Sequence, residues 1–138
     1  MLESILCVDD DAISLMLYKM VITKASFTNE IVTATNGEEA LNYIKKLTAS
    51  SSEPKKKQLQ LIFLDLNMPV MGGWEFLDSF SSVEYSEYNH IKVIILSSTV
   101  DPNDLENSKK YPMVIDFLSK PISKEMLKDI KTKFKFNP

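Results

Sequence analysis

The sequence predicts an α/β domain built on a doubly wound, five-stranded parallel sheet of order 2-1-3-4-5, with helices on both faces. Three observations support this. Five short apolar runs alternate with longer segments of helical period, the mark of a parallel sheet with crossover helices. The first, third and fourth runs are almost wholly apolar, as strands covered on both faces must be. Two of the runs end in aspartate: Ile5-Leu6-Cys7-Val8 stops at Asp9-Asp10-Asp11, and Leu61-Ile62-Phe63-Leu64 stops at Asp65. Charges at the carboxyl ends of such strands lie where open α/β sheets bind ligands.

Ile5–Val8 is the first strand, followed by a helix over Ala12–Ala25. Ile13, Leu17, Met20 and Val21 are expected on its apolar side. Ile31–Ala34 is more polar and suits an edge strand. Asn36-Gly37-Glu38-Glu39 opens the second helix, with Ala40, Leu41, Ile44 and Leu47 as its apolar stripe. Ala49–Gln60, rich in Ser and Lys, reads as a solvated connection to the third strand, with a basic docking patch as the alternative. Leu61–Leu64 is the third strand. The turn Pro69-Val70-Met71-Gly72 leads into a helix over Gly73–Phe80, where Trp74 is expected to pack. Ile91–Leu96 is the fourth strand, followed by a polar, weakly periodic helix over Pro102–Tyr111. Met113–Leu118 is the fifth strand. Ser123 caps a final helix over Ser123–Phe134, whose Met126, Leu127, Ile130 and Phe134 share a face.

A chain of 138 residues fits one domain, 1–138, with a sizeable core. A net charge of -3 does not argue for a nucleic acid or a membrane as partner. No apolar run reaches the ~18 residues of a membrane span, and the N-terminus lacks the basic and apolar regions of a signal peptide. The one cysteine, Cys7, sits within an apolar run and reads as a small buried hydrophobe. These features point to the cytoplasm.

If strands one and three are neighbours at the switch point, Asp9, Asp10 and Asp65 meet in one crevice. Such a cluster repels itself unless a cation or a shared proton relieves it. Hard oxygen ligands without His or Cys suit magnesium, which keeps several waters; calcium asks for more protein ligands. Asp11 precedes the first helix and reads as its cap. Lys120-Pro121 follows the fifth strand, placing an ammonium suited to a phosphate oxygen at the same edge. Ser97-Ser98-Thr99 follows the fourth, where a hydroxyl can hydrogen-bond such an oxygen. The sole histidine, His90, precedes strand four at the opposite end and receives no role at the crevice.

Acid pair, acid, hydroxyl and lysine therefore follow four strand ends in order. That order, carried by Val8-Asp9-Asp10-Asp11, Leu64-Asp65-Leu66-Asn67-Met68-Pro69-Val70-Met71-Gly72-Gly73, Ile94-Ile95-Leu96-Ser97-Ser98 and Phe117-Leu118-Ser119-Lys120-Pro121, resembles the receiver domain of two-component response regulators over essentially the whole chain. The resemblance implies the flavodoxin-like sheet and a stand-alone, chemotaxis-regulator-like phosphorelay switch. It implies that Asp65 is the phosphoacceptor, taking a phosphoryl group from a histidine kinase or histidine phosphotransfer protein. It further implies magnesium held by Asp10, Asp65 and the Asn67 backbone carbonyl, with Asp9 acting through a water. Lys120 would pair with the phosphate and Ser97 would bind its oxygen. Ser97 and Phe117 would form the switch, and Asn67 and Thr99 would tune hydrolysis. The implied output surface toward a downstream target protein is Asn103–Tyr111 and Lys124–Lys135. On this reading the protein is no enzyme beyond its own phosphorylation and dephosphorylation.

Three features depart from the family pattern: Ser97 in place of the more frequent Thr, the long 49–60 approach to strand three, and Met113-Val114 where the family often has a small pair. Three rivals stand beside this reading. A flavin-binding electron carrier can use the same fold but needs a phosphate-cradling loop where this chain has three aspartates. A metal-dependent phosphohydrolase commonly has a second acid two residues after its nucleophile, where this chain has Asn67. The third rival is a receiver excised from a hybrid kinase.

Overall fold

The computed structural model describes residues 1–49, 59–88 and 90–134, with only the backbone at 48 and 49. Its elements are β1 (Leu2–Val8), α1 (Ala12–Lys24), β2 (Thr28–Ala34), α2 (Gly37–Ala49), β3 (Leu59–Leu64), α3 (Gly73–Phe80), a 3-10 helix (Val83–Tyr88), β4 (Lys92–Ser97), α4 (Pro102–Ser108), β5 (Val114–Ser119) and α5 (Lys124–Lys133). The five strands form one parallel sheet in the expected order, β2-β1-β3-β4-β5.

Successive strand residues point to opposite faces, so the apolar runs feed two cores. Leu6, Val8, Ile62, Leu64, Val93 and Ile95 pack with Ala40, Leu41 and Ile44 of α2 and Phe76, Leu77 and Phe80 of α3. Ile5, Cys7, Leu61, Phe63, Ile94 and Leu96 pack with Tyr18 and Ile22 of α1 and Leu127 and Ile130 of α5. Cys7 is buried, as expected. Each fully buried aliphatic side chain contributes ~1.5–3 kcal/mol, so the three central strands anchor the loops at their carboxyl ends.

Helix starts follow local capping. Asp11 accepts from the Ile13 N–H at 3.0 Å and from Ser14 Oγ at 3.2 Å. Asn36 Oδ1 accepts from the Glu39 N–H, while Glu39 Oε1 accepts from the Thr35 N–H. Ser123 Oγ accepts from the Met126 N–H at 3.2 Å.

Four expectations are corrected. In α1 the buried residues are Tyr18 and Ile22, while Leu17 and Val21 are half-buried and Ile13 and Met20 are exposed at 76% and 50%. Apolar residues surround this helix, so their spacing does not mark one face. Helix α4 ends at Ser108 instead of Tyr111: the N–H groups of Lys109, Lys110 and Tyr111 reach back three residues, in tighter turns. Tyr111 precedes Pro112, which disfavours the helical conformation there. Ala49 closes α2, while Leu59 and Gln60 open β3, where Gln60 Oε1 accepts from the Glu3 N–H at 2.7 Å. Finally, β1 and β2 start three residues earlier than the apolar runs suggest. The rest of the 49–60 connection, and Lys135 of the expected output surface, lie outside the described residues.

Candidate functional site: an acidic crevice bridged by lysine

Val8 and Leu64 are register partners on adjacent strands, so the residues that follow them are brought side by side. The Asp65 N–H donates to the Val8 carbonyl at 2.9 Å, and the Asp9 N–H to the Ala34 carbonyl at 3.0 Å, pinning both backbones to the sheet. Ser97 and Ser119 are partners on β4 and β5, and the Lys120 N–H donates to the Ser97 carbonyl at 2.8 Å. All four strand ends therefore converge, as the residue order led us to expect.

Carboxylate oxygens of Asp9, Asp10 and Asp65 lie within 4.8 Å of one another. Asp9 is fully buried, Asp65 is 7% exposed and Asp10 faces solvent. Lys120 Nζ donates to Asp9 Oδ2 at 2.7 Å and stands 3.6 Å from Asp65 Oδ1. Burial and the charge of Asp9 hold the Asp65 carboxyl above its ordinary value, with Lys120 opposing them. Burial works against the Lys120 ammonium, yet its hydrogen bond to Asp9 and the charges of Asp9 and Asp65 raise its pKa overall.

The donor set fits a magnesium ion. It offers three clustered carboxylates, with no His or Cys among the group, and one of them, Asp10, opens to water. One lysine leaves the three acids with net negative charge. Asp9 is the least free to ligate, because three donors already occupy its oxygens: the Asp11 N–H at 3.0 Å on Oδ1, and Lys120 Nζ and the Tyr18 hydroxyl, at 2.8 Å, on Oδ2.

Asn67 and Thr99 are exposed on the loops after β3 and β4. Ser97 is buried at the end of β4, and Phe117 is packed inward from β5 against the α2–α3 core. The β3–α3 loop turns tightly beside Asp65. A Cβ on Gly73 would lie 2.7 Å from the Asp65 carbonyl oxygen and 2.8 Å from Leu66 Cα, so only glycine fits. Val70 in the same loop has φ 66, a left-handed conformation costly for a β-branched residue. Trp74 stacks on Tyr111 with ring centroids 5.8 Å apart, and the Tyr111 hydroxyl donates to Asp78 at 2.6 Å, tying α3 to the segment between α4 and β5.

Sequence reasoning missed Tyr18. Burial and the adjacent Asp9 raise its phenol pKa, keeping it a donor. A tyrosine inside an otherwise aliphatic buried face signals that its hydroxyl needs a partner.

The fold and the crevice together define a flavodoxin-like α/β protein with an acidic, lysine-bridged pocket at the switch point of its sheet. The chain belongs to the response regulator receiver domain family of two-component signalling, whose family model matches residues 5–131. It is 26% identical to the hybrid signal transduction histidine kinase I of Dictyostelium discoideum over 93% of this chain, and 30% identical to the chemotaxis protein CheV3 of Helicobacter pylori over 77% of it. It spans only 7% and 33% of the lengths of these relatives. A crystal structure of a two-component response regulator from Cytophaga hutchinsonii superposes with a TM-score of 0.84 at 30% identity, covering 96% of both chains. Among the described residues, no helix is long and apolar enough to cross a membrane.

Proposed function

We propose that residues 1–138 act as a stand-alone cytoplasmic receiver that accepts a phosphoryl group on Asp65. The observation that carries this reading is the crevice itself. Asp65 is nearly buried, lies beside two acids, and has the Lys120 ammonium 3.6 Å from its Oδ1. In the reaction, an Asp65 carboxylate oxygen attacks the phosphorus of a phosphohistidine. The P–N bond breaks, its electron pair stays on the imidazole nitrogen, and an aspartyl phosphate forms.

Asp10, Asp65 and the Asn67 carbonyl would hold magnesium, with Asp9 contributing through a water. When bound, the ion neutralises charge on the incoming phosphoryl group. Lys120 turns from the carboxylates to the new phosphate oxygens, and the Ser97 hydroxyl binds another. Phe117 follows Ser97 as the switch, altering the α4–β5–α5 surface read by a downstream target protein or phosphotransfer protein. Asn67 and Thr99 would tune hydrolysis. The protein's catalysis is limited to its own phosphorylation and dephosphorylation.

A histidine kinase or phosphotransfer protein supplies the phosphoryl group, and neither nucleic acid nor membrane is a partner in this reading. The donor must reach the crevice mouth, and α1, which starts two residues after Asp10, exposes Ile13, Met16 and Met20 at 76%, 62% and 50%, at a spacing that puts them on one side of the helix. We assign these residues to contact with the phosphodonor.

Incubation with acetyl phosphate and magnesium tests the reading. Wild type should incorporate acid-labile phosphate and Asp65→Asn should not. Equal incorporation by the variant, or incorporation by wild type in chelator, would overturn it.

A further inference from the structure

We infer that Tyr18 is a positioning residue for Asp9, orienting its carboxylate for magnesium in the resting protein and holding it in place when Lys120 turns toward an anion on Asp65. This rests on reading the crevice as a magnesium-dependent phosphoacceptor site. A carboxylate has about four acceptor positions. Three are filled at Asp9: one on Oδ1 by the Asp11 N–H, and two on Oδ2 by Tyr18 and Lys120. The remaining position, on Oδ1, suits a water. Asp9 therefore acts at a distance, and its orientation depends on its donors.

Two of those donors are fixed and one is mobile in function. The Asp11 N–H belongs to the start of α1. Tyr18 lies in the second turn of the same helix, 2% exposed and packed in the core formed with α5. Lys120 divides its ammonium between Asp9 and Asp65, so phosphorylation of Asp65 draws it away. Without Tyr18, that movement would leave Oδ2 of a fully buried carboxylate with no donor.

The residue type supports a polar role. The neighbouring α1 positions that pack toward the sheet, Leu15, Leu17, Val21 and Ile22, are aliphatic. The tyrosine adds one polar atom to this apolar stripe of α1, and that atom lands on Asp9. Partners that orient metal-site carboxylates typically change metal affinity ~10–100-fold when removed.

Calorimetric titration of magnesium into the full chain tests the inference with four proteins: wild type, Tyr18→Phe, Asp9→Asn and the double variant. Tyr18→Phe should bind magnesium about tenfold more weakly. Adding it to Asp9→Asn should produce no further loss, because its effect passes through that carboxylate. Unchanged affinity in Tyr18→Phe, or the same tenfold loss on the Asp9→Asn background, would overturn the inference. Failure of wild type to bind magnesium would instead overturn the reading of the crevice on which the inference rests. If Tyr18→Phe does not fold, proton NMR of wild type replaces it. The Tyr18 hydroxyl proton should be protected from exchange and should shift on magnesium addition; a rapidly exchanging or unmoved proton contradicts the role.

Discussion

Replacing Lys120 with methionine removes the one cation, among the described residues, within ion-pair distance of Asp9 and Asp65. The apolar stem remains, and the charge is lost. Removing one partner of a buried ion pair costs ~3–5 kcal/mol, because the other charge is left uncompensated. The Lys120 side chain is 19% exposed, and Asp9 keeps its Tyr18 and Asp11 donors, which places the cost at the lower end. We expect a loss of about 3 kcal/mol and a Tm roughly 10 °C lower for a chain of this size. Urea unfolding in chelator at pH 7 measures this, with an unchanged m-value showing that the variant folds to the same compactness. Magnesium should restore part of the loss by supplying positive charge to the same carboxylates. Lys120 has a raised folded pKa, so its stabilisation is fully present below the unfolded lysine value. It disappears as pH rises through the folded value, and the two proteins should converge in strong alkali. A variant within about 0.5 kcal/mol of wild type in chelator at pH 7 would refute the ion-pair reasoning.

Three further outcomes follow from the same geometry. Two like charges within 4.8 Å of each other repel by at least about 3.5 kcal/mol at an effective dielectric of 20, and Lys120 offsets much of this, so Asp65→Asn should stabilise the fold by on the order of 1 kcal/mol in chelator at neutral pH. Because the folded Asp65 carboxyl is raised, its cost is relieved as pH falls through that value, and the stability gap measured by urea melts should close toward acid rather than widen. Val70→Gly should stabilise by about 0.5–1 kcal/mol, as the left-handed conformation at φ 66 costs a β-branched residue more than glycine loses in chain entropy; a lower denaturation midpoint would contradict the strain. Met16→Glu combined with Met20→Glu should leave acetyl phosphate labelling intact while slowing transfer from a phosphorylated histidine phosphotransfer protein about tenfold, the cost of losing roughly 1.4 kcal/mol of contact. Equal slowing of both reactions would show damage to the crevice instead.

The candidate site was legible because it lies at strand ends, where an apolar run stopping at a charge fixes both the position and the edge of a residue. Asp9, Asp65, Ser97 and Lys120 come together for that reason. The covered strands were legible from their wholly apolar runs and the β2 edge from its polarity, while the full order came with the receiver-like, doubly wound fold. The orientation of α1 was not legible, since apolar residues surround it and the buried face is chosen by packing against α5 and the sheet. The same ambiguity hid Tyr18, whose contact with Asp9 depends on that orientation. The stack of Trp74 on Tyr111 joins residues 37 positions apart, and no local pattern announces it. The strand starts were blurred because residues such as Thr28 and Glu30 pair at an edge without forming an apolar run.

On the proposed reaction, one carboxylate, that of Asp65, becomes a mixed anhydride. Treatment with acetyl phosphate and magnesium, then borohydride reduction, proteolysis and mass spectrometry, tests this directly, because reduction converts an aspartyl phosphate to homoserine. Homoserine is expected at position 65, with unmodified aspartate at Asp9 and Asp10. Homoserine at Asp9 or Asp10, or none at position 65 under conditions where phosphate is incorporated, would contradict it.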